Sequence, residues 1–292
     1  MREIKDNEHL PVEIFGFIPE DKSDKAEKHR ESRICPFTEE KCVKEEYRKD
    51  NPPVGSCTTS HKGKPHIICP NRFLQDENKL LKKAAKLSFD LDSRIFFVPE
   101  ITLKNMGRID WTAIKLDSSG NLIDYVPIEI VANQTTSTGK LTDAVREYEE
   151  NGKFSKDYYG YGMNTYMQIK TGFTQCLQKG RVFSKWGKKY VWILQDVLFK
   201  NWTNRFKLGL EKGSENEIVF MDYKLKFDEN KNRYCLTHLK TVSAEHKTLV
   251  QAYSEPPEKA PAKNEFASHV EKKGKEKFDA QRQKDISNWS SE

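Results

Sequence analysis

Two carboxylates near the middle of the chain have the surroundings of a metal-binding pair. Asp110 and Glu129 lie in segments that alternate in polarity like β-strands. Residues 117–121 between them supply the glycine and asparagine of a tight turn. The sequence therefore predicts a hairpin, with arms at 108–115 and 122–131, that brings both acids to one hard cation. Such a pair is the skeleton of metal-assisted phosphodiester hydrolysis, although any hairpin can carry two acids.

A second candidate metal site is formed by Cys35, Cys42, Cys57 and Cys69. Their spacing is C-x6-C-x14-C-x11-C, and proline follows Cys35 and Cys69. Thiolates bind zinc or iron tetrahedrally, and such turns let backbone N–H groups point at sulfur. Because the spacing is not that of a C-x2-C knuckle, a structural metal site and four incidental buried thiols both remain open. Cys176 and Cys235 lack such neighbours and are expected to be ordinary buried cysteines.

The charge of the chain is unevenly distributed around the hairpin. The net charge is +6, but residues 91–150 hold 6 basic and 10 acidic side chains, whereas residues 151–250 hold 18 and 9. A metal site beside a positive surface suits a nucleic-acid substrate. A solvated surface with unevenly placed lysines would give the same counts.

The bulk composition excludes several classes of protein. The 292 residues are 36% hydrophobic and 32% charged, and six cysteines are too few for a disulfide scaffold. No stretch approaches the roughly 18 apolar residues of a membrane span, and the first residues lack the apolar core of a signal peptide. We therefore expect a cytoplasmic protein with no membrane partner.

The elements that must position these residues fall into four predicted segments. They are an N-terminal arm at 1–34, the cysteine segment at 35–75, a catalytic core at 76–253 and a charged C-terminal extension at 254–292. In the arm, residues 12–18 are expected to form one strand or a docking arm. The extension is expected to form a peripheral helix.

Within the core, the predicted elements follow the order of many metal-dependent nucleases. They are a helix in 76–91, a buried strand at 94–98, the two hairpin arms, a helix from 138, a long helix in 158–180 that follows a tyrosine- and glycine-rich loop at 158–162, and a buried strand at 189–195. Glu100 follows the first strand, where it can reach the site or remain a surface carboxylate. In most such nucleases a lysine two positions beyond the glutamate orients the attacking water.

The combined pattern resembles the NotI/EagI-type restriction endonucleases over roughly residues 35–200. The shared features are the four cysteines before the core, Gly-Arg-Ile-Asp at 107–110, Pro-Ile-Glu-Ile at 127–130 and a polar helix after them. The resemblance implies an α/β fold with a PD-(D/E)XK core, in which helices flank a mixed central sheet, plus a small four-cysteine metal-binding segment.

The resemblance also implies a function. It implies a homodimeric type II restriction endonuclease that cuts both strands of double-stranded DNA at a GC-rich palindrome, with Mg²⁺ held by Asp110 and Glu129. It further implies a cognate DNA methyltransferase in the same restriction–modification system, and iron at the four cysteines. Four thiolates alone do not distinguish iron from zinc.

The chain departs from that family at Val131, two positions beyond Glu129, where the family carries glutamine. Valine cannot hydrogen-bond through its side chain. Gln134 is the nearest side chain that could replace it if the strand ends near residue 132. Alternatively, Glu100 polarises the water, or nuclease activity is weakened or lost.

DNA contacts are expected from polar and basic residues after the hairpin. The candidates are Asn164, Gln168, Lys170, Lys179, Arg181 and Lys185, each of which could instead be a solvated side chain. The main competing hypothesis is a metal-stabilised, sequence-specific DNA-binding protein without nuclease activity. A small-molecule metallohydrolase is disfavoured by the basic region.

Overall fold

The computed structural model describes residues 4–43, 54–90, 94–256 and 260–289 of the chain. The parts of the four predicted segments at 1–3, 44–53, 91–93, 257–259 and 290–292 lie outside the described residues. The chain divides into two units, Met1–Ala252 and Tyr253–Glu292. Within the described ranges, no helix is long and apolar enough to cross a membrane.

The N-terminal apolar patch forms a strand of a small antiparallel sheet. Strand β1 (Pro11–Ile14) pairs with β2 (Ser56–His61), which pairs with β3 (Lys64–Ile67). Helix α1 (Asp24–Ser32) follows β1, and the Ser23 side chain caps it by accepting a backbone N–H group. Of residues 12–18, for which one strand or a docking arm was predicted, the strand contains those up to Ile14.

A seven-stranded mixed sheet lies at the centre of the first unit. In spatial order its strands are β10 (Glu211–Lys212), β12 (Arg233–Ala244), β11 (Ile218–Asp228), β9 (Tyr190–Gln195), β6 (Leu122–Val131), β5 (Gly107–Leu116) and β4 (Ile95–Leu103). β9 runs parallel to both of its neighbours, and the remaining pairs are antiparallel. Strands β7 (Thr135–Thr136) and β8 (Gly162–Met163) form a separate pair. The prediction of a mixed central sheet is confirmed.

The predicted hairpin is confirmed as β5 and β6. Asp117 stabilises its turn because the carboxylate accepts the backbone N–H groups of Ser119 and Asn121, both at 2.8 Å. Gly120 has a φ of 83°, which glycine adopts without a steric penalty. Residues 126–131 of β6 are buried because the strand lies between β5 and β9.

The strand before the hairpin differs from its prediction. Residues 94–98 are expected to form a buried strand, but β4 continues to Leu103 and most of its side chains are exposed or half-buried. The reason is its place at the edge of the sheet, which the apolar run does not reveal.

Helices flank the sheet. They are α2 (Gln75–Ala85), α4 (Thr165–Gln168), α5 (Thr174–Lys185), α6 (Asp196–Arg205) and α7 (His246–Ser254). Helix α3 (Thr138–Asn151) instead packs on the small sheet, with Val145 in the same apolar cluster as Ile14 of β1. A 3₁₀ turn, Pro70–Leu74, leads into α2. The helix α8 (Lys263–Trp289) belongs to the second unit, as expected for the C-terminal extension.

The long helix predicted in 158–180 is interrupted and shifted. It begins only at Thr165, passes through a π-helical turn at Ile169–Phe173 and ends at Lys185. Residues 162–163, at the end of the predicted loop, form β8, so the helix follows the loop as predicted but ends later than residue 180. The π turn brings Gly172 close to the ring of Trp202, where an added Cβ would lie 3.1 Å from the ring.

The core lies on both faces of the central sheet, and β9 shows the division. Val191 and Ile193 join an apolar cluster that contains residues of α2, whereas Trp192 and Leu194 join a cluster that contains residues of α5 and α6. This division follows from the alternation of side chains along a strand. Each fully buried large apolar side chain, such as Trp202, stabilises the fold by about 1.5–3 kcal/mol.

Candidate active site

Asp110 and Glu129 face each other across the β5–β6 pair. The β5–β6 ladder ends at the pair of Trp111 and Ile128, so Asp110 and Glu129 come directly after its last pair on the two strands. The two carboxylates are close enough to interact, and Asp110 raises the pKa of Glu129. Asp110 Oδ2 also accepts the backbone N–H of Ile130 at 2.9 Å, which holds that carboxylate against β6.

Glu129 is buried and has two hydrogen-bond donors. Only 3% of its surface is exposed, and its Oε1 atom accepts hydrogen bonds from Lys179 Nζ at 2.7 Å and from the Tyr190 hydroxyl at 2.8 Å. Burial, followed by the nearby Asp110 carboxylate, raises the pKa of Glu129 to about 7, although Lys179 acts in the opposite direction. The environment therefore disfavours ionisation of both acids at once.

This donor set fits a hard divalent cation. A cation would relieve the repulsion between the two carboxylates, and Mg²⁺ is commonly bound by one or two carboxylates together with water and substrate phosphate. Among the residues that the structure describes, no three His, Cys, Asp or Glu side chains are grouped so that they could hold a metal ion. A Mg²⁺ ion at Asp110 and Glu129 would therefore rely on water and substrate for its other oxygens.

Asp110 lines two cavities, which make the carboxylate pair accessible. One cavity of about 620 Å³ is also lined by Glu129, Gln134 and Gln168. The other, of about 770 Å³, is also lined by Glu100. Each cavity is large enough for part of a nucleotide chain.

Glu100 lies on β4 opposite Asp110, because the residues on either side of each are paired. Its φ of 54° is left-handed, which a glutamate rarely adopts and which is typical of functional or strained positions. Its side chain is exposed and accepts a hydrogen bond from Arg108 at 2.6 Å. Three carboxylates thus lie on three neighbouring strands.

Val131 and Gln134, which follow Glu129 in the chain, occupy different environments. Val131 is 9% exposed and packs in the apolar cluster beneath α5 and α6. Gln134 is exposed and borders the cavity that contains Asp110 and Glu129.

The six residues expected to contact DNA differ in their exposure to solvent. Those with exposed side chains are Lys170, Arg181 and Lys185. Asn164 is half-buried and caps α4. Gln168 is buried and donates to the carbonyl of Ala132 at 2.8 Å, and Lys179 is buried against Glu129. Gln168 and Lys179 are therefore internal groups of the site rather than part of an exposed DNA-contacting face.

The four N-terminal cysteines are buried thiols that influence one another. Burial raises the pKa of Cys57, and its neighbours Cys69, Glu13, Cys35 and Cys42 raise it further, in that order. The donor chemistry fits a soft metal such as iron or zinc, although no three of the thiols have the grouping of metal ligands. Cys176 is buried and Cys235 half-buried.

Tyr190 is the site residue that sequence reasoning missed, together with the role of Lys179 beside Glu129. Both lie far from Glu129 in the chain, at separations of 61 and 50 residues. The available signal was chemical. A tyrosine at the start of a buried strand needs a partner for its hydroxyl, and a lysine within an apolar helix face needs a counterion.

The model of the family described as restriction endonuclease NotI matches residues 21–236. No curated protein matches the chain.

Proposed function

We infer the mechanism from the premise that this chain belongs to the restriction endonuclease NotI family, and is therefore a site-specific deoxyribonuclease. We propose that it hydrolyses double-stranded DNA with Mg²⁺ held by Asp110 and Glu129. The observation that carries this proposal is the pair of carboxylates facing each other across β5 and β6 at the wall of a cavity.

The chain's own residues fix this pair before substrate arrives. The Ile130 N–H holds Asp110, while Lys179 and Tyr190 hold one oxygen of Glu129. Such preorganised donors need no rearrangement during reaction. When bound, Mg²⁺ supplies Lewis-acid stabilisation of the charge that develops on the phosphate.

The same topology supports a PD-(D/E)XK core. The order of elements is α2, β4, β5 with Asp110, β6 with Glu129, and α3, and the sheet is mixed. Glu100 and Gln134 border the site from the two cavities, and we assign them auxiliary roles toward the metal and the attacking water.

DNA binding is proposed for the exposed basic residues Lys170, Arg181 and Lys185, and for Asn164 at the start of α4. Support comes from the exposed ring of Tyr166, which has the charged groups of Lys170 and Arg205 at 5.1 and 5.2 Å from its centre. Cations and aromatic faces together suit phosphates and bases.

The remaining proposals follow from the family. A GC-rich palindrome would be read by a two-fold homodimer, and a cognate DNA methyltransferase would protect the host sequence. An iron or zinc ion at Cys35, Cys42, Cys57 and Cys69 would have a structural role, which their shared burial supports.

The test is cleavage of phage DNA by the purified chain with and without Mg²⁺. The expected result is a discrete set of fragments that requires Mg²⁺. Asp110→Asn should abolish cutting while DNA is still bound in a gel shift with Ca²⁺. The matched control is Asp143→Asn, which changes an exposed carboxylate on α3 and should cut normally. Sequence-selective binding with no cutting by the wild type would overturn the proposal in favour of a DNA-binding protein.

A further inference from the structure

Strand β6 lacks the positively charged side chain that most nucleases of this type carry beside the catalytic glutamate. The position two residues beyond Glu129, which carries lysine in most nucleases of this type, is Val131. Side chains alternate along a strand, so Glu129 and Val131 project from the same face of β6. Val131 packs there in the apolar cluster that also contains Cys176 and Phe183 of α5.

A lysine reaches the same face from that helix. Lys179 on α5 is 4% exposed, and its Nζ atom lies 2.7 Å from Glu129 Oε1. Nζ also donates to the carbonyl of Arg108 at 2.5 Å. Arg108 lies two residues before Asp110 on β5, so one ammonium group joins the two strands that carry the carboxylates.

Burial of this ammonium group is unfavourable unless a partner compensates its charge. Lysine is almost never fully buried without a partner, because its charge is strongly hydrated in water. Here the partner is Glu129, one of the two acids of the site. The neighbouring face of α5 is otherwise apolar, with Cys176 and Phe183 buried in the core.

We propose that Lys179 supplies, from α5, the positive charge that the strand position of Val131 lacks, and that it acts as a positioning residue for the Glu129 carboxylate during DNA cleavage. This inference rests on the proposed function. Lys179, and not Gln134, is then the residue that replaces the missing lysine at the position of Val131. Gln134 is exposed at the border of the cavity.

The test replaces Lys179 by methionine and, separately, by glutamine, which keeps a hydrogen-bond donor without the charge. Cutting in Mg²⁺ should fall about 100-fold in both variants, as when a preorganised electrostatic partner is lost. The matched control is Lys189→Met. Lys189 is a half-buried lysine that donates to the carbonyl of Leu87 at 3.0 Å, and its loss should leave cutting unchanged.

A second readout separates positioning from general damage to the site. Mg²⁺ binding to the protein without DNA is measured by titration calorimetry. Because Lys179 competes with a cation for Glu129, Lys179→Gln should bind Mg²⁺ at least as tightly as the wild type while cutting far more slowly. A parallel loss of ion binding and cutting would show a structural role only and overturn the inference.

Relocating the charge completes the test. The double variant Lys179→Met with Val131→Lys should recover at least 10-fold of the lost rate. A folded double variant as slow as Lys179→Met would contradict the inference. If the double variant does not fold, the cutting rate and Mg²⁺ titration of Lys179→Gln decide the inference. If the wild type itself does not cut, the proposed function fails. If the wild type cuts and Lys179→Gln cuts equally fast, only the role of Lys179 fails.

Discussion

A buried ion pair between Arg72 and Glu13 should control the stability of the first unit. Arg72 Nε lies 2.8 Å from Glu13 Oε2, and their side chains are 2% and 0% exposed. Glu13 is on β1, and Arg72 is in the 3₁₀ turn before α2. Arg72 Nη2 also donates to the carbonyl of Tyr234 on β12 at 2.6 Å. One guanidinium thus ties the small sheet to the central sheet.

The expected cost of breaking the pair is large. Arg72→Met keeps an unbranched side chain but leaves the Glu13 carboxylate buried. Of the side-chain donors described for this carboxylate, the Thr58 hydroxyl would remain. Removing one partner of a buried ion pair costs about 3–5 kcal/mol. For a protein unit of this size, about 2–4 °C of melting temperature corresponds to each kcal/mol, so the melting temperature should fall by roughly 6–20 °C.

Thermal melts and urea titrations of the wild type and three variants test this reasoning. The double variant Arg72→Met with Glu13→Gln should recover at least half of the loss, because no charge is then left buried. Arg233→Met removes the exposed pair with Asp76, at 3.0 Å, and should cost about 0–1 kcal/mol. The reasoning is refuted if Arg72→Met is no more destabilising than Arg233→Met, or if the double variant is no more stable than Arg72→Met.

Two further predictions concern the cysteines and a buried acid. Elemental analysis should find about one equivalent of iron or zinc per wild-type chain. Cys57→Ser should lose this metal and have a lower melting temperature, whereas Cys235→Ser should keep the metal. Equal metal content in the two variants would refute the four-cysteine site. Burial, opposed by Lys240 and assisted by Asp196, raises the pKa of Asp222 to about 6, so the folded chain retains a proton there that the unfolded chain loses near pH 4. The free energy of unfolding should therefore fall as pH rises from about 4 to 6. In urea titrations at several pH values, Asp222→Asn should remove on the order of 1 kcal/mol of that fall, after solvent screening is allowed for. Identical pH profiles for the wild type and Asp222→Asn would contradict this.

Local sequence signals predicted the elements well where packing and propensity agree. The hairpin followed from its alternating arms and from the turn that Asp117 and Gly120 form. β9 followed from an uninterrupted apolar run, since a central strand is covered on both faces. The two acids Asp110 and Glu129 directly follow the last pair of that hairpin's ladder.

The parts that sequence could not predict depend on contacts between distant segments. β4 resembled a buried strand, but its place in the sheet order is a tertiary property. Lysine is a residue type expected at a surface that contacts DNA, and Lys179 was predicted on that ground. Only the packing of α5 on β6 shows that it binds Glu129. The sequence shows that Val131 departs from the family pattern, but it does not show that Lys179 lies at the same face of β6.

The π-helical turn at Ile169–Phe173 has a consequence for how related chains should be aligned. A regular α-helix rotates by about 100° per residue, and a π turn accommodates one additional residue. Deleting one residue there would turn Lys179 about 100° away from Glu129 while leaving every letter of α5 unchanged. The orientation of that ammonium group is therefore encoded in the length of the segment. A gap placed here in an alignment would mark a change in the site, even between sequences that keep the lysine.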